Sequence, residues 1–143
     1  IFLSENSDIK RLESFILDEC QNYYKYCSNL SEGGSDDLEV KLEGWYQILK
    51  RGDFHGYHNH SNLMSSYFIS GVYYLDPGDI DQGGEFVTYL NPQIMHFNDT
   101  NTYKIKADKG LLILFPSNIY HSVLPYTGDT DRVSIAFNLR RTI

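Results

Sequence analysis

A single helical period opens this chain and does not return. From Ile9 the apolar residues Ile9, Leu12, Ile16, Cys20, Tyr23 and Cys27 recur at spacings of three and four, with Ser7 or Asp8 available as N-cap, which predicts an amphipathic helix over about 8–28. The loop S-E-G-G-S-D-D, residues 31–37, ends it. The period then drops to two: Leu38, Val40 and Leu42 alternate with charges, and W-Y-Q-I-L-K runs on to a turn at Gly52-Asp53. Short β-branched or aromatic runs follow at Tyr67–Leu75, Glu85–Leu90, Leu111–Phe115, Ile119–Leu124 and Arg132–Leu139, separated by D-P-G-D, D-Q-G-G, A-D-K-G and Y-T-G-D-T-D. A βαβ fold needs a helix between successive parallel strands. One leading helix before strands alone predicts an antiparallel sandwich or barrel with the helix packed on it.

At 143 residues the chain suits one domain, 1–143, with the β core at about 38–139. Its hydrophobic fraction of 41% and aromatic fraction of 15% are those of a packed globular protein rather than a disordered segment. The 12 Lys+Arg against 19 Asp+Glu give a formal charge of -7 with no basic stripe, which argues against nucleic acid as a partner because phosphate contacts need clustered cations. No apolar run reaches the length of a membrane span, so no membrane partner is expected. Cys20 and Cys27, seven apart on one helix face and about 10 Å from each other, cannot bridge; they read as free, buried core residues of a reducing, cytoplasmic protein. The chain starts at Ile1, which leaves a preceding leader open. The three Asn-x-Ser/Thr triplets at Asn29, Asn59 and Asn98 matter only in a secreted protein. Arg51-Gly52-Asp53 reads as a turn, and homo-oligomerisation stays open.

Three of the five histidines crowd into G-D-F-H-G-Y-H-N-H, residues 52–60, and His121 sits in the apolar run L-F-P-S-N-I-Y-H-S-V-L. In a strand, residues i and i+2 share a face, so His58 and His60 can enter one cavity. His121, among aliphatic neighbours, would be costly to bury without a partner and is the candidate third ligand. Three imidazoles with open positions suit a catalytic Fe, Zn, Cu or Ni ion. An H-x-H pair alone is more often a pair of surface or hydrogen-bonded structural residues. His55 and His96 are read that way, since in an extended strand His55 points away from His58.

Taken together, Y-Q-I-L-K-R-G-D-F-H-G-Y-H-N-H, S-G-V-Y-Y-L-D, D-Q-G-G-E-F, K-A-D-K-G-L-L-I-L-F-P and Y-H-S-V-L-P-Y-T-G-D-T-D-R-V-S-I-A-F-N resemble, in serial order over residues 46–139, the Fe(II)/2-oxoglutarate-dependent dioxygenases of the prolyl-hydroxylase-like branch. The resemblance implies a mainly β double-stranded β-helix, a cupin-like jelly roll, with the N-terminal helix outside. It places the iron-binding histidines on His58 and His121, and the arginine that grips the distal carboxylate of 2-oxoglutarate on Arg132. The hydroxyl that accompanies this arginine falls on Ser134. A guanidinium grips a carboxylate bidentately, and along a strand Arg132 and Ser134 share a face. Tyr67, Tyr73 and Phe54 are candidates for the cosubstrate pocket wall. Gly83-Gly84 permits a tight turn or a close backbone approach.

The departure is His60, which stands where the family has the carboxylate of H-x-D. The resemblance therefore implies a three-histidine site, His58, His60 and His121, or a third ligand elsewhere, with Glu85 the outside candidate. The implied activity is hydroxylation of a C–H bond of a peptidyl, amino-acid or other small substrate, with Fe(II) as cofactor and 2-oxoglutarate and O2 as cosubstrates. The rival readings are a cupin-like three-His metalloenzyme that does not use 2-oxoglutarate and a non-catalytic metal-binding β-barrel module. Ser61–Ser66 and Pro92–Tyr103 are the expected loops at the mouth.

Overall fold

In the computed structural model, residues 1–29, 39–61, 66–89 and 102–142 are described. Helix α1 spans Ser7–Asn29 and is followed by eight strands: β1 Val40–Leu49, β2 His55–His58, β3 Tyr67–Asp76, β4 Phe86–Tyr89, β5 Thr102–Ile105, β6 Leu112–Pro116, β7 His121–Val123 and β8 Arg132–Arg141. They form two four-stranded sheets, β1-β8-β3-β6 and β2-β7-β4-β5, paired antiparallel throughout. This is the double-stranded β-helix with its helix outside.

The helix cap lies one residue earlier than the sequence suggests. Asn6 Oδ1 accepts the backbone N–H of Asp8 at 2.9 Å and of Ile9 at 3.3 Å, satisfying two donors that the first turn cannot. The apolar stripe then lies on the outer face of the larger sheet. Ile16 and Cys20 are buried against Leu42, Ile69, Ile135, Phe137 and Leu139, with Ile9, Leu12 and Tyr23 at the margin. Cys27, expected buried in the same stripe, is exposed.

The inner face of that sheet meets the smaller sheet through Val72, Tyr74, Phe86, Ile113 and Phe115. Strands β3 and β8 are therefore covered on both faces, and all but the last residue of β8 are buried or half-buried, most of them fully. Their side chains still alternate. Ile135, Phe137 and Leu139 face the helix, while Arg132, Ser134 and Ala136 face the cleft between the sheets. Each fully buried side chain of this size contributes about 1.5–3 kcal/mol, so the two layers together fix how the sheets sit.

Thr102 and Tyr103, expected in a loop, begin β5, which pairs with β4 from Phe86↔Ile105 to Tyr89↔Thr102; alternation over four residues is too short a signal to find beside a long polar stretch. The rest of that loop, most of Ser61–Ser66 and His96 lie outside the described residues. The Arg51-Gly52-Asp53 segment is a turn, as expected, with Gly52 at φ +92° and the Lys50 N–H donating to Asp53 Oδ2 at 2.8 Å.

Candidate active site

The open end of the cleft gathers residues from both sheets. β2 and β7 pair His58 directly with His121, and His60 follows just beyond the end of β2. His60 is thus placed by other means than strand period: its backbone N–H donates to Ser117 O at 2.8 Å. One nitrogen from each of the three rings lies within 4.8 Å of the others, with His121 buried and the other two half-buried. Ring centres are 4.3 Å apart for His58 and His121 and 5.0 Å apart for His60 and His121. Among the described residues this is the one group of His, Cys, Asp or Glu arranged to hold a metal ion. Glu85 does not take part; it lines a separate depression beside Asp81 and Lys106.

Hydrogen bonds decide which nitrogen each ring offers. His58 Nδ1 donates to Gly56 O at 2.6 Å, His121 Nδ1 to Ile119 O at 3.0 Å, and His60 Nδ1 to Asn138 Oδ1 at 2.5 Å. A carbonyl oxygen only accepts, so each ring carries its hydrogen on Nδ1 and, when neutral, presents a bare Nε2 lone pair. The Nε2 atoms of His58 and His60 stand 3.3 Å apart. Two lone pairs at that distance repel unless a proton or a cation sits between them. A proton is disfavoured on His60, which burial lowers with only partial offset from Asn138, and burial likewise pulls the neighbouring His121 down from 6.5 to about 4. The donor set therefore fits a divalent ion held by imidazole nitrogens on one side. Phe86 and Phe115 pack on His121, with ring centres 5.2 and 4.7 Å away, and keep its shell dry.

Deeper in the cleft lies Arg132, 2% exposed. Its guanidinium donates to Gly84 O and its Cζ sits 4.9 Å over the Tyr74 ring. Its Nε has no partner among the described residues, and none of their carboxylates is ion-paired with it. A buried cation with an orphaned donor in a cleft is built for an anion. Ser134, 2% exposed, opens onto the same cleft. Gly84 permits the approach, since a Cβ there would collide with Arg132 Nη1. Gly83 fits equally tightly against Pro125 O.

Several residues fall differently from the sequence reading. Tyr67 does not line the cleft; its hydroxyl donates to Glu43 Oε2 at 2.8 Å. Tyr73 does not line it either and meets Phe15 of the helix edge-on at 6.3 Å. The strand phase is one residue off: Tyr74, paired with Ser134, faces inward. Phe54 is 64% exposed and outside the cleft. His55, by contrast, does line it. Between His55↔Val123 and His58↔His121, β2 spends three residues where β7 spends two, and this bulge brings His55 onto the inward face. Burial first, then His58 and Arg132, lower its pKa. Trp45, Gln47 and Leu49 of β1 complete one wall, with Trp45 stacked on His60 at 6.3 Å. Their alternation W-Y-Q-I-L was legible, but not which face it turned inward.

Residues 43–138 match the protein family described as "Putative 2OG-Fe(II) oxygenase". No curated protein matches the chain. Among solved structures, a Pseudomonas putida prolyl-4-hydroxylase is similar at 24% identity and a TM-score of 0.58, covering 73% of this chain and 53% of its own. The viral collagen prolyl hydroxylase of Paramecium bursaria Chlorella virus-1, solved as a 2OG complex, has 16% identity and a TM-score of 0.68, covering 98% and 76%. The iron-bound HygX of Streptomyces hygroscopicus has 12% identity and a TM-score of 0.56, covering 74% and 60%. The chain spans about half the length of the Pseudomonas enzyme. At these identities the likeness is one of fold.

Proposed function

Because the chain belongs to the 2OG-Fe(II) oxygenase family, we propose that it is a non-haem Fe(II)- and 2-oxoglutarate-dependent dioxygenase that hydroxylates a C–H bond of a peptidyl, amino-acid or other small substrate. The observation that carries this reading is one cleft holding both three convergent imidazoles and a buried guanidinium that no carboxylate among the described residues pairs with. A metal site alone would not call for Arg132, and an anion pocket alone would not call for the histidines.

In this reading His58, His60 and His121 hold the ion through Nε2, and Arg132 pairs with the C5 carboxylate of 2-oxoglutarate, with Ser134 beside it. When bound, iron and 2-oxoglutarate supply the oxidising power by which O2 is split between succinate and the hydroxylated product, with release of CO2. The chain's own residues orient and exclude. The backbone carbonyls of Gly56 and Ile119 keep two imidazoles turned toward the ion. Tyr74, Phe86 and Phe115 wall the interior against water, which strengthens every charge interaction inside. Trp45 and Gln47 stand on the wall of the cleft where a substrate would approach. We place the protein in the cytoplasm, since Cys20 and Cys27 are both free.

The test is anaerobic titration of 2-oxoglutarate into the Fe(II)-loaded protein, expected to raise a visible charge-transfer band that Arg132→Leu suppresses. Iron uptake without that band would sink the 2-oxoglutarate reading. It would favour a cupin-like three-His metalloenzyme instead, the reading that an all-imidazole donor set supports. Uptake of Zn(II) with no open position for a small anion would favour a non-catalytic module.

A further inference from the structure

We propose that Asn138 is a positioning residue that makes an imidazole workable where the family has a carboxylate, by holding His60 in the one tautomer that can bind a metal. The inference rests on the metal reading of the cleft. His58 and His121 are set by backbone carbonyls two residues away, which any sequence would supply. His60 is set by a side chain 78 positions on, at 2.5 Å. A carboxylate presents lone pairs on both oxygens and needs no such control. A neutral imidazole with its hydrogen on the wrong nitrogen presents N–H to the ion and cannot bind it.

The hydrogen-bond chain around Asn138 has its amide oxygen accepting. It is 5% exposed, and Ser70 and Ser117 are 0% and 1% exposed. The Ser70 hydroxyl donates to Asn138 Oδ1 at 2.7 Å, so its oxygen takes the hydrogen of Ser117 Oγ, 2.8 Å away. Two donors, Ser70 and His60, thus converge on one amide oxygen. Turning the amide over would point N–H at His60, force its hydrogen onto Nε2 and reverse both serine hydroxyls. Ser117 also anchors the His60 backbone through its carbonyl, so one strand end fixes both the position and the tautomer. Partners of this kind around a metal ligand commonly matter by about 10- to 100-fold in metal affinity.

The first measurement is on metal-free protein: long-range 1H–15N correlation of the histidine rings, expected to show His60 with its hydrogen on Nδ1. A wild type with the hydrogen on Nε2 overturns the proposal. The second is Co(II) affinity in wild type, Asn138→Leu, Asn138→Asp, His60→Ala and the Asn138→Leu/His60→Ala double variant. Asn138→Leu is expected to weaken Co(II) about tenfold or more when His60 is present and to change nothing further in the His60→Ala background. Asn138→Asp, which keeps an acceptor oxygen, should stay within about threefold of wild type. Equal losses in both backgrounds, or Asn138→Asp as damaging as Asn138→Leu, would mean a merely structural role and overturn the proposal. A wild type that takes up no Co(II) defeats the metal reading and this proposal with it. Failure of the proposal alone looks different: wild type and Asn138→Leu then bind Co(II) equally well.

Discussion

The Arg132 guanidinium carbon lies 4.9 Å from the centre of the Tyr74 ring, and both side chains are almost wholly buried, at 2% and 1% exposure. Tyr74 gives the cation a π face and Gly84 a carbonyl, but no counter-charge. A charge desolvated this far without a carboxylate is a cost to the folded chain. Only a ligand that brings the missing charge offsets it.

Arg132→Met is therefore expected to leave the metal-free protein as stable as wild type or more stable, while 2-oxoglutarate binding falls by about 3–5 kcal/mol, at least 100-fold. Thermal denaturation with and without 2-oxoglutarate checks both halves. A variant that is still stabilised by the cosubstrate as strongly as wild type would contradict the anion-pocket assignment.

Gly84→Ala should act on the same pocket from the other side. Gly84 has φ +73°, a region that costs a side chain about 1 kcal/mol, and its new Cβ would collide with Arg132 Nη1. The expected result is a modest loss of stability together with a rise in the 2-oxoglutarate requirement, at unchanged Co(II) affinity. Parallel loss of metal and cosubstrate would show that the effect is general unfolding.

The pH dependence of the metal-free protein follows from His121, held at about 4 by burial against 6.5 when unfolded. Between those values the unfolded chain binds the extra proton. Stability from this group is thus complete above about pH 6.5, falls as pH drops toward 4 and levels off below, a change on the order of 3 kcal/mol. His60 and His55, also lowered, act in the same direction. Urea unfolding of His121→Phe over this range should show a shallower slope than wild type, because a phenyl ring suits the Phe86 and Phe115 surroundings and cannot titrate. Identical slopes would remove His121 as the source.

The cysteines should separate cleanly. Cys20 is buried, its thiol pushed up to about 12 by burial and then by Glu19, whereas Cys27 is exposed. The native protein is expected to react with one equivalent of a thiol reagent quickly and the denatured protein with two. Two fast thiols in the native state would mean that α1 does not pack as described.

The sequence by itself determined what depends on local period and chemical type. One 3.6-residue stripe followed by runs of period two sets a helix on the outside of antiparallel sheets, and Ile16 and Cys20 pack where that stripe puts them. His121 likewise carried chemistry by type, because an imidazole in an apolar run needs a partner wherever the chain goes, while His58 and His60 stood out by their spacing and Arg132 by the family resemblance. Tertiary structure decided the rest. A bulge in β2 turned His55 inward, and a one-residue difference in strand phase chose Tyr74 over Tyr73 for the cleft. Asn138 reached His60 only because β8 runs beside β3 and the chain after β6 returns under His60. Period fixes that neighbouring strand residues oppose each other; which face is inward, and which distant side chain completes a hydrogen bond, is set by sheet order and register, and those come from packing over the whole chain.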